Sequence, residues 1–271
     1  MVRTLLVTQR ELTEVIRDFN LVGPIFILPA LMAIIVSLGM YSTASVDTGT
    51  VSVVVGTVGV ERIPPRMANA FLNASEADQT KIVAGVLKAL SLPLFWIVTV
   101  ALTATVAADS FVGEKERDTL EPLLATPITN WQLFFGKLLT AVVPAVLGAW
   151  CGTLILAVGI WNSENPYFPI FLLADSDWAV STFIIVPLMA LMSAAVAALI
   201  STRVATYRAA YQLNGLIVLP IVALFIPQTM LLFFITSKAV WVLAAFFLIL
   251  DAWLIMTAVH FFDRERLLRG R

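Results

Sequence analysis

The charges of this chain fall in clusters, and the gaps between clusters are long and apolar. That spacing constrains the fold more than any other feature. About 20 mostly apolar residues make an α-helix long enough to cross the hydrocarbon of a bilayer. Six runs meet the requirement: Leu21–Tyr41, Leu90–Val112, Leu133–Trp161, Ala179–Ile200, Tyr211–Phe234 and Ala239–Phe262. The third is longer than a bilayer needs, so it has to tilt or begin at the surface. The expected fold is an all-α membrane protein of six transmembrane helices, one domain over residues 1–271. Composition agrees. Of 271 residues 60% are hydrophobic and only 13% charged, and the mean hydropathy is +0.94. A soluble domain carries roughly 25% charged residues. The net charge of −1 leaves no basic footprint for nucleic acid. A single cysteine (Cys151) and a single histidine (His260) exclude a disulfide framework and a Cys/His metal cluster.

Orientation follows from Lys and Arg, which accumulate on the cytoplasmic side. One alternate set of connecting segments holds Arg3, Arg10, Arg17, Lys115, Arg117, Lys137, Arg203, Arg208, Arg264, Arg266, Arg269 and Arg271. The other holds Arg62, Arg66, Lys81, Lys88 and Lys238. Twelve against five places the first set inside, with both termini cytoplasmic. The predicted outer loop 162–178 agrees, with Glu164, Asp175 and Asp177 and no Lys or Arg.

The first twenty residues are too long and too acidic (Glu11, Glu14, Asp18) for the n-region of a signal peptide. Thr8-Gln-Arg-Glu11 instead has the form of a capping box. After it, Leu12, Val15, Ile16 and Phe19 share one helical face, opposite Glu14, Arg17 and Asp18. Residues 1–20 are therefore expected as an amphipathic helix lying in the membrane interface. The plainer alternative is a capped helix that extends the first span into water. Residues 42–89 form the largest outer segment, a cap loop too short for an independent domain with a large core. It contains a glycosylation-type sequon at Asn73-Ala-Ser75.

The most informative stretch lies between the second and third runs. Seven of the eight residues Glu114–Glu121 are polar or charged, so this part is in water. Asp118 or Thr119 can cap a short helix, with Glu121 favourable in its first turn. Thr126-Pro127 stops that helix, which exposes Leu120, Leu123 and Leu124. Thr129-Asn-Trp-Gln132 is a second capping box, and Trp131 is placed at the interface. A leucine-bearing helix held at the membrane surface suits docking of a soluble partner. The alternative is a connecting loop whose leucines dip into lipid.

The stretch Gly-Glu114-Lys-Glu116-Arg117-Asp-Thr119-Leu120-Glu121-Pro-Leu123-Leu124-Ala-Thr126-Pro127, then Gly136-Lys137, resembles the signature of type-2 ATP-binding-cassette (ABC) transporter permeases. These carry an E-x-E-x-G-T-L-E-x-L-L-x-T-P run between spans two and three, then G-K at the start of span three. The chain departs at Asp118, where Gly is usual, and at Pro122. The amphipathic N-terminal helix, the six spans and a Phe261-Phe-Asp-Arg264-Glu-Arg266 ending match in layout. The resemblance implies a coupling segment over 114–127. Its ATPase-coupling residues would be Glu114, Glu116, Arg117, Thr119, Leu120, Glu121, Leu123, Leu124 and Pro127, with Lys137 behind them. It implies two partners: a separate ABC ATPase subunit, which binds the ATP and Mg, and a second permease subunit, identical or different. It also implies export across the cell membrane, with lipid around the chain. The chain itself is expected to bind no cofactor: no G-x-x-x-x-G-K-[ST] occurs in it.

Asp251 is the remaining candidate. It lies mid-span, about 18 Å from either end at 1.5 Å per residue, too deep to snorkel. It reads either as a pathway or ion-coupling residue, or as an interhelical hydrogen bond to Ser, Thr or Gln. Asp109, near the inner end of the second span, reads as an interfacial carboxylate. Pro220 and Pro227 interrupt the fifth run, as kinks or before a short re-entrant piece over 230–235. One histidine near a membrane surface cannot assemble a nucleophile–base–orienter set, so no catalytic residue is assigned. The competing class is an intramembrane enzyme or scaffold without transport, which has no need of the 114–127 element.

Overall fold

The computed structural model describes residues 8–9, 12–13, 15–44, 94–113, 116, 129–161, 176–204, 206, 208–210, 212–213, 215–216 and 237–261. Regular structure among them is helical throughout. Five long helices result. Helix α1 is Phe19–Ala44, α2 is Leu94–Gly113, and α3 is Asn130–Trp161. Helix α4 runs from Ser176 to Ser201 in three continuous pieces, and α5 is Ser237–Phe261. All five are long and apolar enough to cross a membrane. They correspond to the first four and the last of the six expected runs. Of the fifth run, residues 212–213 and 215–216 are helical, and the remainder lies outside the described residues. So do the cap loop beyond residue 44 up to residue 93, Asn73, and the prolines at 220 and 227.

Helix α3 has 32 residues, about 48 Å of helix. That exceeds the ~30 Å hydrocarbon core, as the length of the third run requires. It is also the centre of the bundle. Glycines on α3 let α1 approach backbone to backbone. A methyl group at Gly148 would collide with the Ile25 carbonyl. One at Gly152 would lie 2.7 Å from the Pro29 Cβ, and one at Gly159 2.7 Å from the Ser37 Cβ. Close packing through small residues replaces the hydrophobic effect between helices in lipid. The contact points climb together, so α1 and α3 run parallel. Against α2 the order reverses: Gly152 meets Phe95 and Lys137 meets Ser110. Helices α2 and α3 are antiparallel, as adjacent spans of a multi-pass chain must be.

Helix α4 joins through polar contacts. Its middle piece, Ser181–Ile185, is a π-turn in which the Val186 N–H reaches the Ser181 carbonyl. The Trp96 indole N–H donates to Ser181 Oγ at 2.9 Å, and the Trp150 indole to the Thr182 carbonyl at 3.0 Å. Lower down, Ser193 Oγ donates to the Val100 carbonyl at 2.8 Å. Helix α5 packs on α4 and buries Ala244, Phe247, Asp251, Leu254 and Ala258. These alternate at three and four residues, the spacing of a coiled-coil seam. Its other face exposes Trp241, Phe246, Ile249, Trp253 and Met256, and α1 likewise exposes Phe26, Ile27, Leu31, Ile35 and Leu38. Apolar faces this continuous require an apolar solvent.

Candidate functional site

Helix α2 ends and α3 begins at one place, with residues 114–129 as the link between them. The entry to α3 is fixed locally. The Thr129 N–H donates to Gln132 Oε1 at 3.2 Å, and the Gln132 N–H to Thr129 Oγ1 at 3.3 Å. This is the reciprocal capping box the sequence predicts. Trp131 is exposed beside it and stacks on Phe135, with centroids 5.7 Å apart.

The exit from α2 is a π-turn over Asp109–Gly113. A Cβ at Gly113 would lie 2.7 Å from Asp109 Oδ1, so a larger residue there would displace the Asp109 carboxylate. Asp109 is half-buried over this turn. The two ends are tied by Lys137, which is 0% exposed. Its Nζ donates to the Ser110 carbonyl at 2.6 Å and stands 5.9 Å from the Phe111 ring centroid. Phe111 in turn packs on Phe134, with centroids 6.1 Å apart. A buried ammonium is tolerated only with such partners.

The N-terminal segment reaches the same junction. Thr8 is buried, and its hydroxyl donates to the Gly136 carbonyl at 3.4 Å. That carbonyl also accepts from Thr140 Oγ1 at 2.9 Å. Thr8 is helical and its hydroxyl donates to α3; Glu11 of the expected capping box lies outside the described residues. Helix breaks at Asp18, whose carbonyl accepts from the N–H groups of Leu21 and Val22 at 3.0 and 2.9 Å. The break separates the N-terminal segment from α1 by one residue. Of its expected apolar face, Val15 is buried while Ile16 and Phe19 are exposed.

Of the expected coupling residues, Glu116 is helical and exposed. Glu114, Arg117, Thr119, Leu120, Glu121, Leu123, Leu124 and Pro127 lie outside the described residues. Lys137 is inside the bundle and off its surface. Asp251 belongs to the α5 seam and not to this junction. It is 3% exposed, and among the described residues neither carboxylate oxygen has a hydrogen-bond partner. Of the two readings of Asp251, the interhelical hydrogen bond is not formed among these residues. Sequence reasoning missed two features. Gly148-x-x-x-Gly152 was a visible signal for close helix packing. The partner of Lys137 carried no signal, because it depends on the register of two helices.

Comparison with known proteins places the chain. The profile of the ABC-2 family transporter proteins matches residues 5–242. A protein of Escherichia coli strain K12 named probable multidrug ABC transporter permease YbhR is 36% identical over 74 residues, 27% of this chain and 19% of that protein. The ABC transporter permease protein NatB of Bacillus subtilis strain 168 is 28% identical over 172 residues, 62% of this chain and 42% of the relative. The chain thus spans less than half the length of the curated relatives it matches. With the family profile covering most of its length, the chain belongs to the ABC-2 family of transporter proteins.

Proposed function

We propose that this chain is the permease subunit of an ATP-driven exporter, with ATP and Mg bound and hydrolysed by a separate ABC ATPase. Two permease subunits pair, each engaging one ATPase at the cytoplasmic surface, and both termini lie on that side. Residues 114–127 are the coupling segment. The observation that carries this reading is the built junction: the link 114–129 starts from a π-turn and ends in a capping box, and Lys137 ties the two helices it joins. A plain connecting loop needs no such mounting. Asp251 is proposed to line the translocation pathway, because among the described residues its buried carboxylate has no hydrogen-bond partner to explain it.

Leu120, Leu123 and Leu124 form the expected docking ridge. Truncating a buried ridge residue in a partner groove costs about 2 kcal/mol or more, roughly thirtyfold in affinity. The double variant Leu123→Ala, Leu124→Ala is expected to lose the ATPase in a pull-down while the permease remains folded. Pro127→Ala is expected to keep the ATPase bound and to uncouple hydrolysis from transport. Full ATPase retention and full transport by the double-leucine variant would reduce 114–127 to a loop and remove the physical support for the reading.

A further inference from the structure

We propose that Lys137 is a positioning residue for coupling: it clasps the π-helical end of α2 to the first turns of α3, so that the two helices receive motion of the 114–129 link as one body. This rests on the reading of 114–127 as the coupling segment.

The geometry is specific. In a π-turn each bond spans one residue more than in an α-helix, which widens the helix and loosens its ladder. The π-turn over Asp109–Gly113 is the last part of α2 before the link. Its Ser110 carbonyl takes a charge-assisted bond from Lys137 at 2.6 Å, shorter and stronger than a neutral one. The Phe111 ring, 5.9 Å from the ammonium, adds a cation–π contact. On the other side, Lys137 lies eight residues after Thr129, about 12 Å along α3. A push on either end of the link therefore reaches the Lys137–Ser110 bond, with the Phe111–Phe134 contact beside it. Gly136, next to the lysine, holds Thr8, so the N-terminal segment is fastened to the same clasp. An apolar residue at 137 would pack in a buried site without the desolvation cost of a charge. The lysine is better explained by the tie it makes than by stability.

Hydrogen–deuterium exchange of the full chain in lipid nanodiscs, prepared with the ATPase that co-purifies with it, tests this. In the wild type, ATP with vanadate is expected to change protection of 109–113 and 130–141 together. Lys137→Met is expected to retain the ATPase and to raise exchange at 109–113 roughly tenfold without nucleotide, the scale of losing one charged hydrogen bond. In the same variant the nucleotide response of 130–141 disappears. Lys137→Arg, which keeps a charged donor, restores both. Should Lys137→Met not accumulate, Lys137→Gln is expected to show the same two losses. Wild-type exchange and a wild-type nucleotide response in the Met or Gln variant would overturn the clasp. Absence of any ATPase from the wild-type preparation would overturn the permease reading and the coupling role with it. The nucleotide-free comparison would still decide the clasp itself.

Discussion

A carboxyl group without a donor destabilises an apolar seam, and Asp251 occupies such a position on α5. Replacing an unsatisfied buried polar group by an apolar one of similar shape is commonly neutral or stabilising, on the scale of about 1–3 kcal/mol. Asp251→Leu is therefore expected to raise the melting temperature of the purified chain, by about 2–4 °C per kcal/mol for a chain of this size. The same substitution is expected to abolish transport, since stability and function trade off at such sites. A thermal-shift assay beside a transport assay checks both. A lower melting temperature with unchanged transport would make Asp251 structural. The depth of Asp251 in its span was legible in the sequence, and with it that the carboxyl group cannot snorkel to the membrane surface. Its lack of a partner was not, because that depends on which residues of α4 face it. Lys137 shows the same division: its motif was readable, while the Ser110 carbonyl, 27 residues away, was not.

At the scale of helices, the glycines of α3 rank themselves. Gly148 opposes a backbone carbonyl, whereas Gly159 opposes the side chain of Ser37. At Gly148 the overlap is deeper and falls on the main chain, while at Gly159 the Ser37 Oγ can change rotamer and only the Cβ contact remains. Gly148→Ala is expected to destabilise by about 1–3 kcal/mol, the usual range for overpacking, and Gly159→Ala by less. Denaturation in detergent or fluorescence size exclusion reads the order, and a reversed order would count against the parallel α1–α3 register. The capping box at Thr129 and Gln132 was legible because four neighbouring residues close it. The bond from the Thr8 hydroxyl to Gly136, 128 residues on, was not legible, because it depends on how the N-terminal segment meets α3. Which faces of α1 and α5 turn outward was not legible either. Lipid is as apolar as a core, so the amphipathic period that marks a helix in water is missing.

For the whole molecule, five of the six expected runs are long apolar helices among the described residues, and the sequence adds an expected direction. Lys and Arg asymmetry sets an inside and an outside, and the parallel α1–α3 and antiparallel α2–α3 contacts agree with a chain that alternates. With Cys151 first replaced by serine, single cysteines within 162–175 are expected to react with an impermeant maleimide on intact cells. Those at Lys115 or Arg269 are expected to react only after permeabilisation. Reaction at position 115 in intact cells would invert the topology. The glycine contacts between α1 and α3 extend from Gly148 to Gly159, about 16 Å along the axis. Two helices packed this closely, with main-chain contact at Gly148 and Gly152, act as a stiff spar, because neither can rotate there without a main-chain collision. Helix α5 packs on α4 without a glycine in either helix, with small Ala244 and Ala258 near its two ends and Asp251 between them. If the bundle opens during a transport cycle, the spar travels whole, and the parting line runs along α4 and α5, where rotamers can yield.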